Sequence, residues 1–130
     1  MSRASEIMPM LSVADMAASL QFYRERLGGQ QSYQFPPEGE PEFLTLKFGA
    51  SEIGIGRISA TPLHGQPQRP ATGHRIELCI YIDDVDSCVA ELEADAITVL
   101  APPADQPWGE RTAFVSDPDA NIVMLVMRLE

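Results

Sequence analysis

Apolar positions recur along this chain in two matching sets. The first is Val13-Ala14-Asp15-Met16 followed by Leu20, Tyr23 and Leu27. The second begins 69 residues later, with Ile82-Asp83-Asp84-Val85 followed by Val89, Leu92 and Ala96. In each, the apolar end of a strand meets an aspartate placed to cap a helix. Counted from Met16 and Val85, the next apolar positions come at intervals of four, three and four residues, one face of an amphipathic helix. A repeat of this kind describes one small unit used twice.

Period-two alternation marks the strands around these helices. Strands are predicted at 7–13, 31–35, 43–48 and 52–58 in the first half, with a helix at 15–27 closed by Gly28-Gly29. The second half repeats the order, with strands at 75–82, 97–100, 111–116 and 122–128 and a helix at 84–96. Pro9 places the first strand at a sheet edge or bulge, because proline has no N–H to donate. Residues 59–73 hold Pro62, Pro67 and Pro70 with two glycines and read as a linker. The expected architecture is α+β: one domain, 1–130, of two βαβββ modules at about 7–58 and 74–128, forming a curved mixed sheet with a central cleft. Strand parity puts Ile76, Leu78, Ile80 and Ile82 under a helix, and Glu77, Cys79 and Tyr81 on the opposite face.

Size and composition narrow the classes. With 130 residues and 45% hydrophobic content, the chain can bury one compact core. It has no apolar run long enough for a membrane span and no N-terminal apolar stretch of the signal-peptide kind, so a cytoplasmic protein is expected. A net charge of −10 argues against nucleic acid and would draw a cationic ligand toward a cleft. Cys79 and Cys88 lack metal or redox spacing and read as reduced, packed thiols. His64 and His74 form no metal-ligand pair, and no nucleophile–base motif or phosphate loop occurs. A lone Glu77 beside Tyr81 is the one acid–base candidate, and a single carboxylate on a strand is more often a binding or structural group.

Three segments together resemble the glyoxalase/bleomycin-resistance/dioxygenase superfamily, the vicinal oxygen chelate proteins. They are MPMLSVADMAASLQFYRERLGG at 8–29, IYIDDVD at 80–86 and QPWGERTAFVSDPDANIVMLV at 106–126. Enzymes of that superfamily hold a divalent metal through one residue on each of four strands. Carried over by motif, those positions are Met8, Gly54, Glu77 and Met124. Only Glu77 suits a hard cation, since thioethers prefer soft metals and glycine offers no ligand. No metal, cofactor or catalytic residue is therefore expected.

The resemblance is strongest to the metal-free bleomycin-resistance branch, whose members sequester a drug without reacting with it. It implies that Trp108 lines a ligand groove. It also implies that the strand around Pro9 crosses to a partner subunit, giving a homodimer, domain-swapped or side by side. Trp108, Tyr33, Phe43 and Tyr81 offer flat faces for a planar ligand, each aromatic pair worth roughly 0.5–1.5 kcal/mol beyond area burial. Met8, Met10 and Met124 supply a deformable lining, and Glu77 and Glu52 can receive positive charge. The expected function is sequestration of a small molecule, such as a cationic or planar antibiotic of the bleomycin kind. The alternatives are a metal-dependent lyase, isomerase or dioxygenase with an unusual site, and a non-catalytic domain whose cleft is vestigial.

Overall fold

A computed structural model describes residues 6–60, 63–69, 72–73 and 76–130. The chain divides into two compact units, Met1–Arg69 and Pro70–Glu130, so the division falls inside the expected linker. Each unit builds its own four-stranded mixed sheet.

In the first unit β1 (Met10–Val13) is followed by a helix, then β2 (Gln30–Phe35), β3 (Phe43–Phe48) and β4 (Ser51–Arg57). The sheet order is β1-β4-β3-β2, with β1 parallel to β4 and the other neighbours antiparallel. The second unit repeats this with β5 (Glu77–Tyr81), a helix, β6 (Val99–Asp105), β7 (Glu110–Ser116) and β8 (Ile122–Arg128). Its order is β5-β8-β7-β6, again with the outer pair β5 and β8 parallel. The repeat read from the sequence is a repeat of topology.

Both helices are capped as their aspartates predict. Asp15 accepts from the Ala18 N–H and Asp84 from the Ser87 N–H, each at 3.1 Å. The second helix, α2 (Val85–Ala94), buries Val85, Val89 and Leu92. It stops short of Ala96, which takes a left-handed φ of 64° beyond the helix end and is exposed.

The first helix departs from a regular α pattern. Its α-helical turn, α1 (Met16–Leu20), runs directly into a π-helical segment, Gln21–Arg26. The Leu27 N–H reaches back five residues to the Phe22 carbonyl, at 3.1 Å. Within this wider turn Phe22 and Tyr23 are both buried, their rings edge to face with centroids 4.7 Å apart. Leu20 and Leu27, expected to be buried with Tyr23, are only half-buried.

Three expectations on the strands need correction. β1 starts at Met10, not Ile7, because Pro9 cannot donate; its carbonyl still accepts from the Gly54 N–H at 2.8 Å. Ile76 precedes β5 and is exposed, whereas Leu78, Ile80 and Ile82 are half-buried as parity requires. Arg75, the expected first residue of this strand, and His74 lie outside the described residues. Most clearly, Pro102 and Pro103 sit within β6 instead of ending it. β6 is an edge strand whose register slips between Val99 and Ala101 and again between Ala101 and Ala104, so the missing N–H groups cost no regular ladder bonds.

Each helix covers one face of its own sheet. Leu44, Leu46, Ile53 and Ile55 are buried in the first unit, and Ala113, Val115, Val123 and Leu125 in the second. The opposite face of each sheet carries the candidate site residues.

Candidate functional site

The open face of the first sheet is read from its register. One row runs Met10–Gly54–Thr45–Tyr33 and the next Ser12–Gly56–Phe43–Phe35. A Cβ placed on Gly54 would stand 2.8 Å from Phe43 Cζ, and one on Gly56 would stand 3.4 Å from Phe43 Cδ1. The two glycines thus make a flat bed on which the Phe43 ring rests. Tyr33 lies beside it, ring centroids 6.3 Å apart. Met10 and Tyr33 are exposed, Met8 half-buried.

A register shift at Gln31/Tyr33 brings the Ser32 hydroxyl among the side chains of β3 and β4. Ser32 Oγ lies 2.6 Å from Glu52 Oε2 and 2.7 Å from Thr45 Oγ1. An ionised carboxylate only accepts, so Ser32 donates to Glu52 and Thr45 donates to Ser32. The Ser32 hydrogen bond, with smaller contributions from Thr45 and Lys47, holds the Glu52 carboxyl below the usual glutamate range, against the opposing effect of burial. One oxygen of the Glu52 carboxylate is held by Ser32.

The open face of the second sheet is organised around a residue the sequence did not single out. Glu110, at the start of β7, accepts from Trp108 Nε1 at 2.9 Å on one oxygen and from the Tyr81 hydroxyl at 2.8 Å on the other. The Arg128 guanidinium lies over the Tyr81 ring, 4.3 Å from its centroid, and Arg128 is the register partner of Glu110 on β8. The hydrogen bond to Glu110 raises the Tyr81 pKa first, helped by burial and by the charges of Glu110 and Cys79, with Arg128 opposing. Trp108 and Tyr81 remain 63% and 49% exposed, which leaves ring surface for a ligand.

The loop bearing Trp108 is closed by its own backbone. Gly109 N–H donates to the Gln106 carbonyl, Gln106 N–H to the Glu110 carbonyl, and Leu129 N–H to the Gly109 carbonyl. Gly109 takes φ +92°, a conformation that favours glycine. Beneath the loop, Gln106 donates to buried Thr112.

Of the remaining predicted residues, Glu77 and Met124 share this open face but sit further along the strands from Glu110. Glu77 is exposed and pairs with Ile122, while Met124 pairs with Cys79 and Phe114. Cys79 is exposed, not packed, because it lies on the open face of an edge strand; burial of its thiol and the Glu110 charge push its pKa up. His64 Nδ1 accepts from the Gln66 N–H in an exposed loop.

The donor set does not fit a divalent ion. At the four positions assigned to metal by resemblance, Met8 and Met124 offer thioethers, and the space where a Gly54 side chain would project holds the Phe43 ring. Among the described residues no group of three or more His, Cys, Asp or Glu is placed to hold a metal ion. No described helix is long and apolar enough to cross a membrane.

The sequence profile of the Glyoxalase/Bleomycin resistance protein/Dioxygenase superfamily matches residues 6–125. No curated protein matches the chain in sequence. Among solved structures, the chain is similar to TioX from Micromonospora sp. ML1, at 20% identity and TM-score 0.72 over 97% of this chain and 100% of that one. It is similar to a protein of unknown function from Agrobacterium tumefaciens str. C58, at 23% identity and TM-score 0.76 over 99% and 98% of the two chains. A lactoylglutathione lyase from Agrobacterium tumefaciens shares 25% identity and TM-score 0.65 over 97% and 96%.

Proposed function

This chain belongs to the Glyoxalase/Bleomycin resistance protein/Dioxygenase superfamily, and we propose that it binds a planar small molecule on an open sheet face and sequesters it without a metal centre. The observation that carries this reading is the pair of exposed rings, Trp108 and Tyr81, anchored to one carboxylate on the second sheet. Ring faces held in place lose little freedom when a planar ligand stacks on them. The half-buried thioether of Met124 lies on the same face and adds a polarisable lining.

The open face of the first sheet offers a second set of the same chemical kind: Phe43 and Tyr33 as rings, Met8 and Met10 as soft lining, Glu52 as an anion. Glu52, Glu77 and Glu110 favour a ligand that carries positive charge, as a bleomycin-like antibiotic does, and the chain's net charge of −10 aids its capture at low salt. The same reading has the protein working in the cytoplasm as a homodimer assembled through the strand beside Pro9. Sedimentation at micromolar concentration tests the dimer.

A second reading draws on the likeness to the lactoylglutathione lyase: a metal-dependent enzyme with an unusual ligand set. Metal analysis of purified protein separates the two, because stoichiometric nickel, zinc or iron supports the enzyme. The wider test is a thermal-shift screen of planar compounds, since any ligand of the native state must raise its stability. Trp108→Ala should abolish the gain for a ligand that stacks on this platform.

A further inference from the structure

We infer that Glu110 is the positioning residue of the Trp108–Tyr81 platform, an inference that rests on the binding reading above. Three separate pieces of chain meet at its carboxylate: β5 through Tyr81, the 106–109 loop through Trp108, and β7 through Glu110 itself. Each oxygen takes one donor, Oε1 the indole N–H at 2.9 Å and Oε2 the phenol O–H at 2.8 Å. Both donors belong to side chains about half exposed or more, which would otherwise sample several rotamers in water.

The chemistry calls for glutamate at this place. A glutamine keeps one accepting oxygen for the indole N–H and can still donate to the phenol oxygen, so it gives up only the charge; a methionine of similar length gives neither ring a comparable partner. An aspartate is one methylene shorter and cannot span both donors from the same backbone position. With both donors spent on Glu110, neither the N–H nor the O–H needs a partner from a ligand, and Arg128 covers one face of the Tyr81 ring. The backbone bonds that close the loop do not involve the Glu110 side chain, so the loop survives its replacement.

The test compares the wild-type chain with Glu110→Met, which frees both rings, and, as a subtraction control, Tyr81→Phe. Three readouts are taken: alkaline absorbance titration of the Tyr81 phenol, iodide quenching of Trp108 (the only tryptophan in the chain), and affinity for two planar probes, cationic proflavine and neutral acridone. In Glu110→Met the phenol should titrate at lower pH, because the anion that holds its proton is gone; Cys79 and Arg128, the other groups acting on it, are unchanged. Trp108 should become more accessible to iodide. Both probes should weaken by roughly fivefold to tenfold, as expected when two side chains must be ordered on binding, with the unfolding midpoint within a degree or two.

An unchanged phenol titration together with unchanged acridone affinity overturns the inference. So does a loss confined to proflavine, which would make Glu110 a counter-charge only. If neither probe binds the wild type, the stacking function falls, and the phenol titration with the iodide quenching alone decides whether Glu110 anchors the rings.

Discussion

The ring of Phe43 lies across Gly54, where a methyl group on Gly54 would stand 2.8 Å from Cζ and 2.9 Å from Cε1. The space above a position that the family resemblance assigns to a metal ligand is thus filled by an aromatic side chain from the neighbouring strand. Gly54→Ala must push the ring aside and should cost about 1–3 kcal/mol by overpacking. In a Phe43→Ala background the same change should cost clearly less, because the obstructing ring is gone. A double-mutant cycle by urea denaturation measures the coupling.

Gly109 holds the turn after Trp108 with φ +92°. Gly109→Ala forces an L side chain into that conformation and should lower stability by about 1–2 kcal/mol. It should also shift the Trp108 emission, since the loop cannot relax without moving its neighbour. Equilibrium unfolding followed separately by tryptophan emission and by far-ultraviolet circular dichroism checks both effects.

Arg111 ties three elements together. Its Nε and one terminal nitrogen donate to the two oxygens of Asp86 on α2 at 2.8 and 3.0 Å, and its other nitrogen donates to Asp105 on β6 at 2.9 Å. The Arg111 hydrogen bonds depress the Asp86 pKa. A depressed carboxylate contributes stability above its unfolded pKa and loses it as pH falls through the folded value. Wild type should therefore lose stability below the ordinary aspartate range more steeply than Arg111→Gln. Thermal melts from pH 6 down to pH 2 test this slope; parallel curves would mean the pair contributes nothing.

The two caps offer an internal control. Asp15 and Asp84 bond the N–H three residues on at the same distance. Asp15→Ala and Asp84→Ala should each cost about 1 kcal/mol. Asp84 also accepts from the Ser87 hydroxyl at 3.1 Å, so its loss should be the larger of the two.

The fold was legible because its signals are local and occur twice. An aspartate cap, a stripe of apolar residues and alternating strands appear on either side of a proline-rich break. What escaped were features set by partners distant in sequence. The prolines of β6 read as a loop until the edge position and the register slips are known. The π-helical turn is defined by which carbonyl the Leu27 N–H takes, five residues back, and the spacing of apolar residues does not mark that choice. At the site, Trp108 and Tyr81 stand out in the sequence as flat faces for stacking, but their common anchor does not. Glu110 follows Trp108 by two residues and shares strand parity with Thr112 and Phe114, which was the available clue. Arg128 is placed against Tyr81 by the β5–β8 pairing, and nothing in its local sequence reveals that. Charge alone singles out Glu52, whereas the shift in β2 that delivers Ser32 to it is invisible to pattern reading.

The most direct measurement is a titration of Trp108 emission with bleomycin and with proflavine, using protein freed of metal by chelator and the Trp108→Ala variant as the blank. The account predicts saturable quenching at one ligand per chain by at least one of these compounds, unchanged when divalent ions are restored. Absence of saturable quenching by either compound, or quenching that appears only after a divalent metal is added, would contradict it.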